Sequence, residues 1–115
     1  MMLDWTAYKA QLTKIIPSFA KLTPDSLKGY QVLSDANKAN SKLGEKTRQL
    51  ISIAVAVTTR CDGCITFHTD AALKAGATRD EIAEALGVAM AMNAGAAFVY
   101  SLRAMDAVDA HSAPK

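Results

Sequence analysis

The apolar positions of this chain recur at helical spacing and nowhere alternate as in a half-buried strand. Leu3, Ala7, Leu12 and Ile15, with Trp5 and Tyr8, form a loose stripe that predicts a first helix ended by Pro17. Thr23-Pro24 reads as an N-cap followed by proline at the first helical position, and Leu27, Tyr30, Val32 and Leu33 carry that helix to about Ala39. The polar segment Asn37 to Lys42 breaks it. A third helix begins near Gly44-Glu45. Leu50, Ile51, Ile53, Ala54, Val55 and Val57 make it apolar on most sides, and Thr58-Thr59-Arg60 ends or bends it. Ile65, His68, Ala72 and Ala75 trace one face of a helix over 62–75, stopped by Gly76. Thr78-Arg79-Asp80-Glu81 has the Thr-x-x-Glu pattern of a capping box and opens a helix carrying Ile82, Leu86, Ala89 and Met90. Asn93-Ala94-Gly95 predicts a break before a last helix through Phe98, Tyr100, Leu102 and Met105 that runs until about Ser112, with a polar tail over 107–115. The expected architecture is all-α, a single domain of about six helices.

One part of this pattern is too apolar for the size of the chain. Between Ala85 and Met105 only Asn93, Ser101 and Arg103 are clearly polar. A helix that is apolar all round must be buried on all sides, and 115 residues offer little interior for it. Neighbouring subunits are the expected cover, with Ala94 to Ala97 small enough to allow close approach. Met90, Met92 and Met105 then read as core or interface filling.

Composition narrows the function. Half the residues are hydrophobic, a fifth are charged, and the net charge of +2 comes without a basic run, so nucleic acid is not an expected partner. The apolar run Leu50 to Val57, interrupted by Ser52, is far short of a membrane span, and no membrane association is expected. Met1 to Trp5 lacks the basic start and apolar core of a signal peptide, so the expected location is cytoplasmic. In a reducing compartment a Cys-x-x-Cys pair is more often redox-active or metal-binding than a permanent staple.

Both cysteines of the chain stand in Cys61-Asp62-Gly63-Cys64, and His68 follows Cys64 by one helical turn. An ordinary thiol has a pKa of about 8.5, so little of it is nucleophilic thiolate at neutral pH. A helix N-terminus gives a nearby anion only about 0.3–1 kcal/mol, less than one pKa unit. His68 can do more, either as an imidazolium partner or as the base that takes the proton. Cys64 is one turn from it and Cys61 two, so Cys64 is the candidate nucleophile and Cys61 the resolving thiol. Attack on a peroxide would leave a sulfenic acid on Cys64, which Cys61 would convert to a disulfide; simple disulfide exchange with a partner is the alternative use of the same pair. Two cysteines and His68 make three zinc ligands with no fourth at a usual spacing, so no metal or bound cofactor is expected. His111 reads as an inert tail residue, and the charges of Lys42 to Arg48 as a solvated helix start.

Lys46-Thr47-Arg48-Gln49-Leu50-Ile51, the block Cys61 to His68, Ala71 to Ala77 and Glu81 to Ala85 together resemble the core of the alkylhydroperoxidase D-like, or carboxymuconolactone decarboxylase-like, superfamily over roughly residues 43–103. The resemblance implies a helical subunit that assembles into homotrimers or homohexamers. It implies a thiol-dependent peroxidase or disulfide reductase, with Cys64 matching the peroxide-reactive cysteine, Cys61 its disulfide partner and His68 the histidine of a proton relay. It further implies a dithiol electron donor, a lipoyl-bearing or thioredoxin-like protein.

One position departs from the family pattern. Twelve residues before Cys61 the relay has a glutamate, and here Gln49 stands in its place. An amide hydrogen-bonds but neither accepts a proton as a base nor carries charge. His68 is therefore expected to be less basic, Cys64 less readily deprotonated, and peroxidase activity weaker than with the full relay. Glu45, one turn earlier, substitutes only if the geometry shifts. Two other readings stand beside the peroxidase: a non-catalytic oligomeric redox sensor or scaffold, and the decarboxylase branch, whose chemistry has no evident need of a vicinal dithiol.

Overall fold

The structure is a computed structural model that describes residues 1–112 and Pro114. Five helices account for nearly all of it: α1 Trp5–Leu22, α2 Pro24–Asp35, α3 Glu45–Thr59, α4 Asp62–Lys74 and α5 Arg79–Ser112. Among the described residues there is no strand. α3 lies at the centre, against α4 on one side and α5 on the other, while α1 packs on α4 and α2 on α1.

Capping explains most of the boundaries. Asp4 accepts the Ala7 N–H and opens α1. Pro24 stands in the first turn of α2. Ser41 Oγ accepts the Gly44 N–H at 3.1 Å, and Gly44, at φ +80°, turns the chain into α3. At the far end Arg60 takes the left-handed conformation (φ 57°), and the Cys61 N–H reaches the Ala56 carbonyl. This abrupt reversal places Cys61 at the N-cap of α4. The capping box at the head of α5 is formed in both directions: Glu81 accepts the Thr78 N–H at 2.9 Å, and Thr78 Oγ1 accepts the Glu81 N–H at 3.1 Å.

Three sequence expectations are corrected here. α1 does not end at Pro17, because proline removes a single intrahelical bond and the helix resumes through Leu22. α2 stops at Asp35 rather than near Ala39, as Asn37 adopts a positive φ of 66°. No break occurs at Asn93-Ala94-Gly95: the Asn93 amide donates to the Ala89 carbonyl at 2.7 Å and to Thr58 Oγ1 on α3 at 2.9 Å, so the helix runs unbroken and five helices replace six. The last helix ends at Ser112, where the sequence places its end, with the polar residues from 107 and His111 inside it, while residues 113 and 115 lie outside the described set.

The core is small. Ile53, Ala72 and Ala77 form its buried centre, with Leu50, Ile82 and Leu86 packed around it. Full burial of a side chain such as Ile53 contributes roughly 1.5–3 kcal/mol. α5 shares this core only through its first part. From Met90 to Ser112 every residue is exposed, among them Met92, Phe98, Val99, Tyr100 and Leu102. By length and composition alone α5 is long and apolar enough to cross a membrane; its apolar stretch is the one for which the sequence predicts neighbouring subunits as cover.

Candidate functional site

The site is built where α3 and α4 face each other. Cys61 and Cys64 form a disulfide, with Cα atoms 5.2 Å apart. Its geometry follows from the capping of α4: Cys61 is extended, and its Sγ accepts the backbone N–H of Cys64 at 3.1 Å. A helix amide thus addresses the sulfur of Cys61, not that of Cys64. Gly63, between them, lies under α1, where a Cβ would come within 3.1 Å of Leu12 Cδ1. α1 is held in that place by Thr66, whose hydroxyl donates to the Trp5 carbonyl at 3.1 Å, and by the ion pair between Lys9 and Asp70. Lys9 also lies 5.4 Å from the centre of the Phe67 ring.

One turn beyond Cys64, His68 points toward α3. Its Nδ1 lies 2.7 Å from Gln49 Oε1, and Gln49 is buried at 8% exposure. The Gln49 amide donates in turn to Glu45 Oε1 at 2.7 Å. Desolvation lowers the pKa of His68, the charge of Lys38 lowers it further, and Glu45 acts against both. At neutral pH His68 is therefore an uncharged imidazole, which favours the base over the imidazolium among its two expected roles.

The four predicted site residues are thus distributed as two contacting pairs, Cys61 with Cys64 and His68 with Gln49, on two adjoining helices. Glu45 neither replaces Gln49 nor stands apart from it, but contacts it directly. The i, i+4 spacing of the two residues was the available signal. Lys38, in the connector after α2, had none. The expectation of a merely solvated start to α3 is corrected, because Lys46 pairs with Glu81 of α5 at 2.8 Å and Arg48 donates to the Ala36 carbonyl at 3.0 Å.

Beside His68 opens a pocket of about 400 Å³. Tyr30, Leu33, Leu43 and Ile51 give it apolar walls, and Lys38, Arg48, Gln49 and His68 supply its polar groups. No group of three or more His, Cys, Asp or Glu residues able to hold a metal occurs among the described residues.

The sequence profile of the Carboxymuconolactone decarboxylase family matches residues 24–107, most of the chain. The chain belongs to this family. An uncharacterized protein of Haemophilus influenzae is 45% identical over 113 residues, spanning 98% of this chain and all of that one. An uncharacterized protein of Cupriavidus necator is 33% identical over 94% of this chain and 98% of its own length. The fold is that of a carboxymuconolactone decarboxylase family protein from Legionella pneumophila, whose apo crystal structure superposes with a TM-score of 0.71 at 33% identity, covering 95% of this chain and 97% of that one. A protein from Methanobacterium thermoautotrophicum follows at TM-score 0.67 and 35% identity, covering 74% and 96%. The family resemblance carried by the Cys61–His68 block extends beyond residues 43–103, through α2 and most of α5.

Proposed function

We propose that the protein is a thiol-dependent peroxidase that cycles between a Cys61, Cys64 dithiol and the Cys61–Cys64 disulfide. The observation that carries this reading is the disulfide at the head of α4, one turn from a half-buried histidine held by Gln49 beside an open pocket. In the reduced state His68 takes the Cys64 proton. The Cys64 thiolate attacks the terminal oxygen of a hydroperoxide, the O–O bond breaks, and its electron pair leaves with the alkoxide, which is protonated to the alcohol. Cys64 is now a sulfenic acid. Cys61 attacks its sulfur, the S–S bond forms, and the hydroxyl leaves as water. An external dithiol, lipoyl-bearing or thioredoxin-like, returns two electrons and two protons and becomes a disulfide itself.

Assembly belongs to the same proposal. Copies of the chain, as a homotrimer or homohexamer, cover the exposed apolar length of α5, and the protein works in the cytoplasm.

The test is repeated turnover. The fully reduced protein, given cumene hydroperoxide and dihydrolipoamide, is expected to consume many equivalents per subunit. Iodoacetamide is expected to label Cys64 below the pH of an ordinary thiol and faster than Cys61, as identified by mass spectrometry. Consumption that stops at one equivalent per subunit would instead identify a redox sensor. Two cysteines that titrate like free thiols would overturn the catalytic reading altogether.

A further inference from the structure

We infer that Glu45 is a positioning residue for this dithiol site, acting through the Gln49 amide to fix which nitrogen of His68 carries the proton. The inference rests on the proposed role of His68 as the base for Cys64.

The argument is one of donors and acceptors. A glutamate at neutral pH is ionised and offers only acceptor atoms. The Gln49 group 2.7 Å from Glu45 Oε1 is therefore its NH₂, and the carbonyl oxygen is left facing His68. A carbonyl oxygen only accepts, so His68 Nδ1 must bear the hydrogen across that 2.7 Å contact. In a neutral imidazole the other nitrogen, Nε2, then holds the free lone pair. A base needs that lone pair, and the chain from Glu45 to Gln49 to His68 supplies it without a carboxylate touching the ring.

Without Glu45 no other hydrogen-bond partner than His68 remains for the amide among the described residues. Gln49 could then turn its NH₂ toward Nδ1 and stabilise the opposite tautomer, with the hydrogen on Nε2 and no base for a thiol. Gln49 is thus less a lost carboxylate than an extension that carries the influence of one from a turn away. The charged groups around the ring divide in sign. Glu45 on α3 favours proton uptake, and Lys38 in the connector opposes it, itself paired with Asp35 at 3.0 Å. Arg48 lines the same pocket from α3.

The experiment is long-range ¹H–¹⁵N NMR of the histidine rings in the full-length reduced protein near pH 7.5, with His111 as internal reference. The wild type is expected to show His68 mainly as the Nδ1–H tautomer. Glu45→Ala is expected to raise the Nε2–H fraction several-fold. It should also slow Cys64 alkylation by about threefold to tenfold, the effect of about half to one pKa unit on the thiolate fraction. Glu45→Gln, which keeps an acceptor but loses the charge, is expected to fall between the two. A wild type dominated by the Nε2–H form overturns the inference, and so does a tautomer ratio unchanged in Glu45→Ala. Circular dichroism checks that each variant is folded, and Gln49→Leu, which cuts the chain at its middle, provides a second route to the same loss. Because the spectra need no peroxide, a protein without turnover whose tautomer still follows Glu45 would refute the peroxidase reading and leave this one standing.

Discussion

Two apolar helices run side by side in this subunit and are used differently. Along α3, Ile53 and Ala56 are buried, and the polar groups that enter the interior, Gln49 above all, find partners within the same subunit. Along α5 the equivalent burial ends at Ala89, and beyond it Phe98 is 68% and Tyr100 66% exposed. Exposed apolar surface on this scale is a property of surfaces that meet other molecules. The contrast teaches that α3 and α4 specify the site locally, whereas the second half of α5 leaves its apolar side chains exposed in this subunit, the surface that the proposed assembly would cover.

The sharpest way to break that contrast is a charge on the outer part of α5. Phe98→Asp is expected to weaken assembly by about 100-fold or more, equivalent to about 3 kcal/mol, and to reduce the mass seen by light scattering to that of one subunit. Cys64 alkylation within the subunit should change little. An unaltered mass would remove α5 from the interface.

The opposite substitution is Ile53→Ala, at the centre of the α3 core. It is expected to cost about 2–5 kcal/mol in denaturant unfolding, as cavities left by large apolar side chains do. A loss below about 1 kcal/mol would mean that assembly, rather than the internal core, dominates stability.

The smallest effect is expected at the periphery of the site half, where Lys74 and Lys9 hold the Asp70 carboxyl at about 2. Its folded pKa lies below its ordinary value, so its stabilisation is present above about pH 4 and is lost as pH falls toward 2. Asp70→Asn should therefore lower the urea midpoint slightly at pH 7, less so in high salt, and only by a fraction of that at pH 2, where about half of the carboxyl is protonated. A difference between variant and wild type that does not shrink from pH 7 to pH 2 would show that Asp70 acts through something other than its charge.

The parts legible in the sequence were those decided within a few residues. Gly44, Gly76 and the Thr78–Glu81 box end or begin helices by local hydrogen bonding, and Cys61 and Cys64 are joined across the first turn of α4, with His68 one turn further along the same helix. What escaped depended on distant partners. Asn93 looks like a helix breaker until Thr58, on another helix, takes its amide hydrogen. Pro17 looks like a stop although a helix can lose one bond and continue. The site followed the same division. Gln49 was legible as a departure from a family pattern, but the direction its amide faces depends on Glu45 and His68 at once, and Lys38 enters from a connector with no periodicity to announce it.

The chain's only tryptophan has an optical consequence. Trp5 begins α1, and its carbonyl is held by Thr66 of the helix whose first turn carries the disulfide. Leu12 of the same helix rests on Gly63 inside the disulfide loop. The emission of a single indole is thus expected to report on how α1 sits over the disulfide loop, giving a fluorescence readout of the proposed redox cycle.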